Sequence, residues 1–99
     1  MFFVAIMNKK KLLLARNKID QLDKVIFKLI IKRTRVVKYM LSLKEYKSQI
    51  VDHKRIKQIL INIKRKSIKN KIDPLLTTKI WKSMIWSYVD YQRRKFKKK

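Results

Sequence analysis

The sequence predicts an all-α protein, with three helices per subunit and a long first helix. Three observations carry this. Glycine is absent and Pro74 is the only proline among 99 residues, so hairpin turns and glycine-rich phosphate loops have nothing to build on. An apolar stripe at helical spacing runs through Leu12, Ala15, Ile19, Leu22, Ile26, Leu29, Val36, Met40 and Leu43. The stretch "NKIDPLL" places a capping aspartate, Asp73, directly before a proline suited to the first position of a helix.

The first helix is expected from about Lys10 to Tyr46, its stripe repeating in heptads. At about 1.5 Å per residue it would be roughly 50 Å long, and a chain this short cannot cover its apolar side alone. A partner is therefore expected. The break "YKSQI" is polar and holds neither glycine nor proline, so its boundary is soft. The second helix is expected from about Val51 to Lys66, with Ile56, Ile59, Leu60 and Ile63 on one face. The third is expected from about Leu75 to Phe96, with the stripe Ile80, Trp81, Met84, Ile85, Tyr88 and then Gln92.

One domain over residues 1–99 is expected. Residues 1–9 are read as an extension, disordered or non-native, with Met7 as an alternative start. Residues 94–99 are read as a solvated basic tail. The run "MFFVAIMNKKK" has its charges after a short apolar core and no small-residue cleavage site, the reverse of a secretory signal. No segment approaches a membrane span. A cytoplasmic protein is expected.

Lys and Arg number 29 against 6 Asp and Glu, a net charge of +23. Such a charge attracts phosphate, and a basic helical RNA-binding protein is one reading. Lysine, isoleucine and asparagine also have A/T-rich codons, so base composition accounts for much of the lysine and weakens that reading. Cysteine is absent and His53 is the only histidine, which excludes a disulfide framework and a thiolate or histidine metal cluster. His53 beside Asp52 is read as an exposed histidine, because helix neighbours point to different sides. Trp81 and Trp86 are read as core or interface. Ser83 and Ser87 have no base at helical spacing, so nucleophilic catalysis has little support.

The polar residues on apolar faces are more informative. Arg33 stands where the first stripe calls for a leucine, and Lys44 follows eleven residues later. On an ideal helix that is about 20° around and about 16 Å along the axis, so two long cations could converge on one small anion. An arginine in a heptad core usually sets register or pairs with a carboxylate. The chain has few carboxylates, and a buried cation without an anion is expensive, so an external anion becomes an alternative. Gln92 is the polar exception on the third stripe, and Asp52 and Arg55 share a face. Arg16 lies about 25 Å before Arg33 on a continuous helix and could meet the same ligand only from a partner chain. From spacing alone it reads as solvated.

Arg16, "IDxLD" at Ile19 to Asp23, Arg33, Lys44, "DxxR" at Asp52 to Arg55, "IW" at Ile80–Trp81 and Gln92, taken in order, resemble the all-helical (type II) chorismate mutase family. The resemblance covers residues 12 to 96. It implies an intertwined homodimer with two active sites and conversion of chorismate, a dianion, to prephenate by an intramolecular Claisen rearrangement in phenylalanine and tyrosine synthesis. It implies no cofactor and no metal. It makes Arg33 a carboxylate binder and Arg16 a contribution from the other subunit. Lys44 and Gln92 become donors toward the breaking ether oxygen. Asp52 contacts the ring hydroxyl, and Arg55 lines the site. Two positions depart from the family. Ile56 stands where many members carry a glutamate that holds the ring hydroxyl, and Tyr88 stands where many carry a small hydroxyl residue. Related isochorismate-pyruvate lyases have an apolar residue and a tyrosine at similar places, which makes such a lyase the alternative enzyme. Nucleic acid is not the expected partner.

Overall fold

The computed structural model describes residues 1–97, and among them the ordered elements are helical: α1 (Phe2–Ser42), a short 3-10 turn (Lys47–Gln49), α2 (His53–Lys69) and α3 (Pro74–Lys95). The chain divides into two units, Met1–Val36 and Val37–Lys99. Residues 98 and 99, the end of the expected basic tail, lie outside the described residues.

The first unit is the greater part of α1. The helix begins at Phe2, well before the expected start near Lys10, because nothing in "FFVAIMNKKK" interrupts it. Residues 2–9 are thus helical rather than a disordered extension. Its stripe residues Leu12, Ile19, Leu22, Ile26, Leu29 and Val36 are all more than half exposed. Exposed single leucines are ordinary on a protein surface, but a continuous apolar row is not.

The second unit begins with the last turn of α1, which stops at Ser42 rather than near Tyr46. The next two amides, Leu43 and Lys44, bond back three residues, to Met40 and Leu41, both at 3.1 Å. Those of Glu45 and Tyr46 are taken by the Gln49 side chain at 2.7 and 2.9 Å. A competing side-chain acceptor thus ends the helix where no glycine is available.

Asp52 starts α2 by accepting from the Arg55 amide at 3.0 Å, a standard N-cap. Ile56, Ile59, Leu60 and Ile63 are half-buried, as their spacing predicts. One turn on, Ser67 is buried and exchanges a 2.6 Å hydrogen bond with Thr77 of α3. The helix runs to Lys69 and ends in a Schellman closure: Ile72 N–H donates to Ser67 O and Lys71 N–H to Ile68 O. Lys71 takes the left-handed conformation there, with φ 56°. Asp73 then caps α3 through the Leu75 amide at 2.9 Å, with Pro74 in the first turn.

α3 packs against α2. Ile85, Val89 and Gln92 are its buried residues, while Trp81, Met84 and Tyr88 are half-buried. Ile80, expected on the inner stripe, is half exposed, and Val89 takes an inner place instead. Leu41, Ile50 and Val89 form a small core, with Val51 and Phe96 packed against it. Phe96 therefore belongs to the core and not to a solvated tail. Arg93, Arg94 and Lys95 occupy the last turn of α3, where cations favour the carbonyl end of the helix dipole.

A lysine in the left-handed region carries a steric penalty that glycine lacks. Lys71→Gly is expected to stabilise the protein by about 1 kcal/mol. Chemical denaturation of the two forms measures it, and an unchanged or lowered midpoint would show that the closure imposes no strain.

Candidate active site

The side chain of Lys44 emerges just past the end of α1, and Gln92 faces it from the buried side of α3. Lys44 Nζ donates to Gln92 Oε1 at 2.7 Å. An ammonium can only donate, which fixes the amide with its oxygen toward Lys44. Gln92 Nε2 is then left to donate to the Tyr88 carbonyl one turn back, at 3.2 Å. Gln92 is only 8% exposed, and Lys44 is half-buried.

Burial lowers the Lys44 pKa from the ordinary lysine value, because the charged form loses water. The negative charge of Asp52 opposes that shift. Asp52 thus has two tasks, capping α2 and sustaining the Lys44 charge. The unit gathers Lys44, Asp52 and Gln92 from three different segments.

The remaining expected residues fall elsewhere. Arg55 is exposed, and its guanidinium donates to Gln58 on its own helix at 3.4 Å. Ile56 is half-buried. Tyr88 is half-buried, with its ring edge-on to Tyr91 at 6.3 Å. Arg16 and Arg33 belong to the first unit, where Arg16 is exposed and Arg33 is half-buried. His53 is exposed, as expected, and rests against Trp86 with ring centroids 6.5 Å apart. A cleft of about 430 Å³ between Leu41, Tyr91 and Phe96, rimmed by Lys38 and Lys95, includes neither Lys44 nor Gln92. Among the described residues no group of His, Cys, Asp and Glu is arranged to hold a metal ion.

Three contributors escaped the sequence reading. Val89 sits between Tyr88 and Gln92 in a pattern that tolerates either neighbour. The Ser67–Thr77 bond links polar residues that have no sequence signature. Gln49 had a signal, a glutamine three residues after the start of a turn, as in a capping box.

The lowered Lys44 pKa has a defined sign in stability. The folded chain releases this proton at lower pH than the unfolded chain does. Between the two values the unfolded chain holds more protons, so the Lys44 contribution to stability rises with pH in that window and is least favourable below it. Titration of the Lys44 Cε resonance by NMR is expected to give a midpoint below that of an exposed lysine. A midpoint equal to that of the exposed lysines would contradict the desolvation.

The searches of curated proteins and of solved structures found no match. The protein-family scan did: the model for chorismate mutase type II matches residues 15–93. That span holds α1 from Ala15 onward, all of α2 and nearly all of α3, together with Arg16, Arg33, Lys44, Asp52, Arg55, Ile56, Tyr88 and Gln92. The chain belongs to the type II chorismate mutase family.

Proposed function

We propose that the protein is a chorismate mutase, converting chorismate to prephenate without cofactor, as a cytoplasmic homodimer serving phenylalanine and tyrosine synthesis. The observation that carries this reading is the 2.7 Å contact between a partly desolvated Lys44 ammonium and the buried Gln92 amide. In the rearrangement the ether C–O bond breaks as the new C–C bond forms, and negative charge builds on the ether oxygen. Donors already in place stabilise that charge without reorganising, and holding the substrate compact removes much of the entropic barrier. Lys44 retains N–H groups beyond the one given to Gln92. Gln92 can offer Nε2 by exchanging its long 3.2 Å bond to Tyr88 O for the substrate.

Arg33 then binds a substrate carboxylate, and Arg16 reaches in from a second copy. Asp52 contacts the ring hydroxyl, with Arg55, Ile56 and Tyr88 lining the site. The exposed apolar row of α1 supports the second copy, since water contact along it is unfavourable until something covers it. RNA binding as the primary role offers no reason for a buried Gln92 or a desolvated Lys44.

The half-buried aliphatic chain of Ile56 favours a second reading, an isochorismate-pyruvate lyase on the same scaffold. Purified protein incubated with chorismate, and separately with isochorismate, distinguishes the two by product. Failure of a folded dimer to act on either substrate removes both.

Lys44→Ala and Gln92→Ala are each expected to lose about 3 kcal/mol of transition-state stabilisation while folding normally. Gln92→Glu is expected to be poorest near neutral pH and to recover toward low pH. Its ionised carboxylate would face the ether oxygen and occupy Lys44. Steady-state kinetics across pH on the three variants checks this, and rates equal to the parent's would oppose the assignment.

Subunit sharing has its own signature. Arg16→Ala and Arg33→Ala are each expected to be inactive as homodimers. In a mixed dimer one site receives intact Arg33 and Arg16, and the other receives neither. Random exchange makes half the dimers mixed, so about a quarter of parental activity is expected to return. If exchange is verified by mass spectrometry and no activity returns, Arg16 does not act across the interface.

A further inference from the structure

The turn that carries Lys44 is held by one side chain. Gln49 Oε1 accepts from the amides of Glu45 and Tyr46, at 2.7 and 2.9 Å, the two residues that follow Lys44. The amide of Lys44 itself is fixed to Leu41 O at 3.1 Å. The backbone is therefore bonded on both sides of the lysine. Gln49 is in turn held from two directions. Its own amide donates to Tyr46 O at 3.0 Å, so the Tyr46–Gln49 turn is closed by backbone and side chain together. Its neighbour Ile50 is 5% exposed and packs with Leu41 and Val89 in the core.

The geometry points to Gln49 as a positioning residue for Lys44, setting where the ammonium stands opposite Gln92. The inference rests on the mutase reading above and deepens it. Gln49 and the turn it closes are exposed. If the side chain is removed, water can satisfy the two freed amides, so the fold survives. What is lost is the direction of the chain leaving Lys44. A long lysine on an unclamped turn samples solvent, and its contact with Gln92 becomes one conformer among several. The same 3-10 turn leads within three residues to Asp52, whose charge supports the Lys44 ammonium. Gln49 thus ties the lysine to the segment that bears its supporting carboxylate.

The test compares Gln49→Met, which keeps length but cannot accept a strong hydrogen bond, with Gln49→Glu, which can accept both amides. Circular dichroism first establishes that each is folded at the assay temperature. Gln49→Met is expected to lose roughly ten- to hundred-fold in kcat with KM changed little, as misplacement of a transition-state donor requires. The NMR midpoint of Lys44 in that variant is expected to move up toward that of an exposed lysine. Gln49→Glu is expected to restore kcat to within a few-fold of the parent. A Lys44 midpoint unchanged in folded Gln49→Met overturns the proposal, as does a kcat loss that Gln49→Glu does not restore. The Lys44 midpoint is read without substrate. If the parent has no mutase activity, the mutase reading falls and the midpoint still decides whether Gln49 places the lysine.

Discussion

A partly buried ammonium facing a buried amide is the constraint to which the second unit is fitted. Leaving Lys44 in water would be easier, and burial already weakens its hold on the proton. Gln92 compensates with an oxygen, and Asp52 with charge. Each belongs to a different segment, so the contact exists only when the end of α1, the cap of α2 and the inner face of α3 are all formed. The polar pair is adjoined by a thin core. Leu41 is three residues from Lys44, Val89 is three from Gln92, and both pack with Ile50. A small hydrophobic cluster thus fixes the segments that bear the two polar groups, and its burial offsets part of the cost of taking a cation out of water.

A chain without glycine has to solve its turns differently. Asp52 and Asp73 cap helix starts with carboxylates, Gln49 ends α1 with an amide oxygen, and Lys71 accepts a left-handed backbone to close α2. Three of these devices are hydrogen bonds from side chains, and the fourth is a strained residue. The absence of glycine thus leaves a trace in backbone geometry at position 71. The turns are less economical than glycine turns, and one of them holds Lys44.

The first unit poses the opposite problem. Its helix exposes a long apolar row that the described residues leave in water. Membership in the type II family fits the proposal that a second copy covers this row. A chain this small has little apolar surface with which to cover so long a helix.

Helix content, the cap at Asp73 and the half-buried face of α2 were legible in the residues, because capping and 3.6-residue periodicity are local and depend on a few neighbours. The ordered motifs also made the family legible. Helix ends were less so: α1 starts at Phe2 and stops at Ser42, since no local signal marks the first and a side chain seven residues away decides the second. The exchange of Ile80 for Val89 on the inner face came from packing, since a stripe drawn from sequence leaves its edges ambiguous by one position. Lys44 and Gln92 could be singled out as polar residues on apolar faces. That one donates to the other across 48 residues was decided by tertiary structure, because side chains so far apart meet only after the intervening turns have set where each helix lies.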